Sequence, residues 1–90
     1  MATRLEHSAF ELFEKHRGTK TATNDGEILR KLGEEFGEFV QAVLDGNETA
    51  ALLEAADIHL LLIDFAMLRR KSIAAYTATK LDEINSRWSV

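Results

Sequence analysis

Apolar residues recur at spacings of three and four along most of the chain, and the pattern divides into four helical segments. The first is expected from about Thr3 to Arg17, where Leu5, Ala9, Phe10, Leu12 and Phe13 form a stripe. Thr3 with Glu6 three places later fits a capping box, and Gly18 suits the stop. Thr19 to Thr23 reads as a polar loop. Asn24 or Asp25 then caps a second helix that continues to about Asp45, with Gly46 just after its end. At 100° per residue, Ile28, Leu29, Leu32, Phe36, Phe39, Val40 and Val43 fall within roughly a third of the circle, with Glu35 beside that arc.

Asn47 can cap a third helix, from about Glu48 to Arg70, whose apolar residues point in every direction. A helix that is apolar all round is surrounded by other helices, and three short helices in one chain can hardly cover it. Self-association into a larger helical bundle follows as the expectation. Arg69 to Ser72 make a polar turn, and a fourth helix, about Ser72 to Arg87, carries Ile73, Tyr76, Leu81 and Ile84, with Trp88 just beyond. The fold class is therefore all-α, four helices in a single domain over residues 1–90.

Composition narrows the chemistry. Ninety residues bury only about 60% of the surface that the unfolded chain exposes, so such a domain is marginal without help. With no cysteine there is neither a disulfide nor a thiolate zinc site, which leaves oligomerisation or a bound metal. A net charge of −4 argues against a general nucleic-acid or anionic-membrane binder. The longest nearly uncharged run, Ile58 to Phe65, is far short of a membrane span, and Ala2 to Arg17 lacks the apolar core of a signal peptide. A cytoplasmic protein is the expectation.

Against this background the acids of the third helix stand out. Glu54, Asp57 and Asp64 sit among apolar residues, and a carboxylate removed from water must protonate or find a cation. Glu54 and Asp57 are one turn apart, and Glu35 and Glu38 have the same spacing on the second helix. Antiparallel packing across Gly46-Asn47 would bring the four together, and hard divalent cations relieve the repulsion. Magnesium, with manganese as substitute, suits all-oxygen ligands, whereas zinc more often calls for His or Cys. The Glu35 and Glu38 pair alone is ordinary on a solvated helix, and Glu54 with Asp57 is somewhat more telling in its apolar setting; the combination across a fifteen-residue gap is more specific than either. A di-iron site would need Glu-x-x-His motifs, but His59 follows Asp57 by two and shares no face with it, and His7 and His16 lie on the first helix. There is no phosphate-binding glycine loop of the Gly-x-x-x-x-Gly-Lys type.

The stretch KLGEEFGEFVQAV, Lys31 to Val43, followed by LLEAADIHLLL, Leu52 to Leu62, resembles the signature of the MazG-like all-α nucleoside triphosphate pyrophosphohydrolases. The resemblance implies that Glu35, Glu38, Glu54 and Asp57 hold magnesium, and that an NTP or dNTP is cleaved to the monophosphate and pyrophosphate by a homodimer or homotetramer. Glu34, Glu35 or Glu38 would accept the proton of the attacking water. Lys31 is assigned to phosphate. Lys80 and Arg87, seven apart on the last helix, resemble the family's phosphate-contacting Lys and Arg, whereas Asn85 stands five after Lys80 where the family pattern has four. Gly33 and Gly37, one turn apart, are explained by close helix packing at least as well as by substrate approach.

Two alternatives stand beside this reading. Phosphoribosyl-ATP pyrophosphatase of histidine biosynthesis has a similar Lys-x-Gly-Glu-Glu-x-x-Glu segment, here Lys31 to Glu38. It ranks second because His59 follows Asp57 by two rather than four, and because Asn24 to Gly26 lacks that enzyme's Ser-Tyr-Thr element. The other is a non-catalytic helical oligomerisation or regulatory module. Phe10, Phe13, Tyr76 and Trp88 are the aromatic candidates for a nucleobase, and nothing in their spacing selects one.

Overall fold

The computed structural model describes residues 1–89 and consists of four helices, α1 Arg4–Lys15, α2 Asp25–Leu44, α3 Glu48–Met67 and α4 Ile73–Trp88. The first three begin at side chains that the sequence offers as caps, and the fourth at Ser72, which caps the helix rather than opening it. The Thr3 hydroxyl accepts from the Glu6 N–H while the Glu6 carboxylate accepts from the Thr3 N–H, so the capping box is complete. Asn24, Asn47 and Ser72 accept in the same way from Glu27, Ala50 and Ala75.

The third helix stops earlier than its periodicity suggests. The Arg70 N–H donates to Met67 O and the Lys71 N–H to Ala66 O, both at 2.9 Å, and Arg70 takes the left-handed conformation at φ 59°. Those are the two hydrogen bonds of a Schellman ending, which turns the chain before Arg69 and Arg70 can continue the helix. The same pair of bonds closes α2, from Gly46 to Val43 and from Asn47 to Ala42, with Gly46 at φ 71°.

α3 is the central element: α2 packs along it, and α1 and α4 each pack on it and meet one another at the start of α4. The buried line of α2 runs through Ile28, Leu32, Glu35, Phe39 and Ala42, so Glu35 lies within the packed seam rather than beside it. The rest of the expected apolar arc is bare: Leu29, Phe36 and Val43 are 65%, 60% and 54% exposed. On α1, Glu6 and Ala9 are buried, whereas Leu5 and Leu12 from the expected stripe face outward.

Two polar anchors hold α1. Glu6 is buried, and its carboxylate accepts from the Thr3 N–H, the Ser72 hydroxyl at 2.7 Å and the Ala74 N–H at 3.1 Å. An anion thus satisfies one of the N-terminal donors of α4, and Ser72 another, the Ala75 N–H. Burial pushes the Glu6 pKa upward, but these donors outweigh it and hold the group down at about 2. At the other end of α1, Arg17 reaches Asp64, the acid that α3 buries; the ion pair raises the Arg17 pKa against the opposing effect of burial.

The radius of gyration is 14.9 Å, against about 12 Å for a compact chain of this length. No residue of α4 is buried, and Leu52 and Leu53 of α3 are 64% exposed. One chain therefore leaves wide apolar faces uncovered. No helix among the described residues is long and apolar enough to cross a membrane.

Candidate acidic metal site

The α2–α3 hairpin carries the cluster. Glu35, Glu38 and Glu54 each direct a carboxylate oxygen into one space, and the three oxygens lie within 4.8 Å of one another. Glu35 and Glu54 are half-buried, so water relieves their repulsion only in part. The neighbouring Glu35 carboxylate is the largest influence on Glu54, because a protonated Glu54 could bond to it; desolvation and Glu38 add to it, and together they push the Glu54 pKa up to about 7.

Two oxygens, Oε2 of Glu35 and Oε2 of Glu54, are buried without any hydrogen-bond partner. Buried polar atoms are ordinarily paired, and two orphaned carboxylate oxygens at the meeting of two helices are acceptors in need of a cation. The donor set is all oxygen and hard. These residues therefore fit magnesium or manganese, and the absence of nitrogen and sulfur donors makes the set a poor match to zinc.

The cluster borders two open clefts of about 260 Å³ each. Glu38, Glu54, Gln41 and Asn47 line one; Lys31, Glu34, Glu35, Asp57 and Phe13 line the other. Each is somewhat smaller than the roughly 300–1,000 Å³ typical of organic-ligand pockets. A nucleotide at the cluster would have to span both or extend beyond one chain.

The structure thus brings together three of the four carboxylates expected to converge. Asp57 is exposed and shares the second cleft with Glu35, outside the tight group. Lys31 is half-buried in that cleft, the one cation among its lining residues. Glu34 lines it too, but faces outward enough for its carboxylate to pair with Arg30 at 2.9 Å. Lys80 and Arg87 are on α4 and line neither cleft; Lys80 pairs instead with Glu83 at 3.1 Å. A Cβ placed on Gly33 or Gly37 meets nothing within 4 Å, so helix packing within the chain does not account for either glycine.

Of the aromatic candidates, Phe13 alone reaches a cleft beside the acids, whereas Trp88 is 77% exposed at the end of α4. Periodicity did not reveal the device that holds Phe13 there. The Thr21 hydroxyl donates to Phe13 O at 2.8 Å, and Arg17 donates to Asp64 and to Ala22 O, fastening the loop after α1 onto α3. The available signal was Asp64 itself, an acid inside an apolar run that had to have a partner.

Comparison with known proteins finds one family over most of the chain: residues 7–84 match the sequence model of a family described as phosphoribosyl-ATP pyrophosphohydrolase. No curated protein and no solved structure gives a significant match.

Proposed function

Because the chain belongs to the phosphoribosyl-ATP pyrophosphohydrolase family, within the MazG-like all-α superfamily, we propose that it hydrolyses the α–β phosphoanhydride of phosphoribosyl-ATP, releasing pyrophosphate and the corresponding monophosphate. The reading placed second on sequence grounds thereby moves to first. The family match extends over residues 7–84, whereas the displaced His59 and the missing Ser-Tyr-Thr element are local departures. Those departures keep the second substrate class in view, a canonical or modified nucleoside triphosphate cleaved at the same bond.

The observation that carries a metal-dependent hydrolase is the pair of orphaned oxygens on Glu35 and Glu54 in a three-carboxylate cluster. Glu35, Glu38 and Glu54, with Asp57 at the edge, would hold magnesium. When bound, the ion supplies charge neutralisation for a polyphosphate and a more acidic water. The chain's own residues do the rest. Lys31 attracts and orients phosphate oxygens in the second cleft, where the acids would otherwise repel them. Water adds to phosphorus, the anhydride oxygen departs with the other phosphoryl group, and the water proton passes to a carboxylate. Glu34 at the rim of that cleft, or Glu35 or Glu38 in the cluster, takes that proton.

Lys80 and Arg87 do not reach the clefts of their own chain. We assign their phosphate role, if retained, to a neighbouring copy in a homodimer or homotetramer, which would also cover the bare faces of α2 and α3. Pyrophosphate release measured with magnesium across phosphoribosyl-ATP and a panel of canonical and modified dNTPs tests the proposal. Release from phosphoribosyl-ATP supports it, preference for a dNTP selects the second class, and no release from any substrate overturns both.

A further inference from the structure

A groove of about 620 Å³, larger than either acidic cleft, lies where the start of α1, the end of α3 and the start of α4 meet. Phe10, Met67 and Tyr76 supply its apolar wall, and His7, Arg70 and Lys71 its polar rim. Met67 stands thirteen residues after Glu54 on the same helix, about 20 Å along its axis, so the groove is separate from the acidic cluster.

Two observations give this groove a chemistry. The first is Arg70. It holds the left-handed position of a Schellman ending, which glycine occupies without strain and which Gly46 occupies at the end of α2. A side chain kept in an unfavourable backbone conformation points to a use for that side chain. The second is charge. Among the described residues, Arg70 and Lys71 have no hydrogen-bond or ion-pair partner for their side chains, while the adjacent Arg69 pairs with Asp25. No carboxylate lines the groove, and the nearby Glu6, behind Ser72, has its oxygens committed to Thr3, Ser72 and Ala74.

We propose that this groove is a second ligand site for an organic phosphate with a flat aromatic body, a nucleoside monophosphate in kind. The ring rests against Phe10, Met67 and Tyr76, and the phosphate takes charge-assisted hydrogen bonds from Arg70 and Lys71. The volume falls within the range that holds such a ligand. The site is independent of the hydrolytic reading, since none of these residues belongs to the acidic cluster.

The test is calorimetric titration of the full chain with AMP in EDTA, which disables any cation-dependent site, with adenosine and ribose 5-phosphate as partial ligands. AMP is expected to bind once per chain and more tightly than either fragment. Arg70→Gly should melt at a higher temperature than the parent and yet bind AMP at least about tenfold more weakly; Lys71→Ala should weaken binding similarly. The higher melting temperature separates a ligand role from misfolding. Absence of binding at millimolar AMP, unchanged affinity in both variants, or a lower oligomer mass in Arg70→Gly without any AMP binding would each overturn the proposal; the last would make the groove a contact between copies of the chain.

Discussion

Arg17 grips Asp64 through two parallel hydrogen bonds, Nη2 to Oδ1 at 2.8 Å and Nη1 to Oδ2 at 2.9 Å, tying the chain just after α1 to the last turn of α3. The guanidinium also bonds Glu14 and Ala22 O and lies 5.9 Å from the Phe10 ring centre. Asp64 is almost wholly buried, so its charge depends on this one cation. Arg17→Ala strands that charge and should cost about 3 kcal/mol in denaturant unfolding. The double substitution Arg17→Met with Asp64→Leu removes both charges and should recover much of the loss. Equal destabilisation of the single and double variants would show that packing, not charge, is what the pair supplies.

Acid should attack the other anchor. The folded-state pKa of Glu6, about 2, lies below its ordinary value of 4.5, so the native protein binds the proton less readily than the unfolded chain. The resulting stability is fully present above about pH 4.5 and is lost as the pH falls towards 2, on the order of 3 kcal/mol in all. Glu6→Gln should be less stable at neutral pH and should show a flatter acid limb when melting temperature is followed from pH 7 to 2. An acid limb as steep as the parent's would place the acid sensitivity elsewhere.

Opposite effects are expected at the cluster. Without a cation, Glu54→Gln removes one of three crowded carboxylates and should raise the melting temperature in EDTA. With magnesium the order should reverse, because the parent gains stability from binding and the variant gains little. Pyrophosphate release should fall about 100-fold or more in the same variant while helix content stays unchanged. Differential scanning fluorimetry with and without magnesium reads the crossover, and parallel shifts in both proteins would remove the cation from the site.

The bare faces predict assembly. Light scattering at micromolar concentration should give a mass of two or four times the 10.1 kDa chain. Leu53→Asp, on the 64% exposed side of α3, should lower that mass without unfolding the chain. A monomeric parent protein would contradict this reading of the uncovered surface.

Much of the scaffold was legible before any coordinates. Thr3, Asn24 or Asp25, and Asn47 announced three helix starts because a side-chain oxygen ahead of an apolar run has few other uses there, and the structure selects Asn24. The pairing of Glu35 and Glu38 with Glu54 was legible because short connections force antiparallel neighbours. Other features were not. Leu29 and Phe36 extend the apolar arc of α2 beyond what one neighbour covers, so periodicity marked them for the core although the chain leaves them outside. Glu6 looked like a cap alone; its second role depends on Ser72 and Ala74, sixty-six and sixty-eight residues away. Asp57 has the right spacing, but a carboxylate's exact reach depends on how two helices rotate against one another, which spacing does not record.

The tight ending at Gly46 and Asn47 has a kinetic consequence. The three clustered carboxylates lie between positions 35 and 54, so their meeting is a local event closed by the three-residue connection 45–47 rather than by chain ends finding each other. Contacts of low sequence separation form early and fast. The hairpin can therefore draw its acids together before α1 or α4 docks.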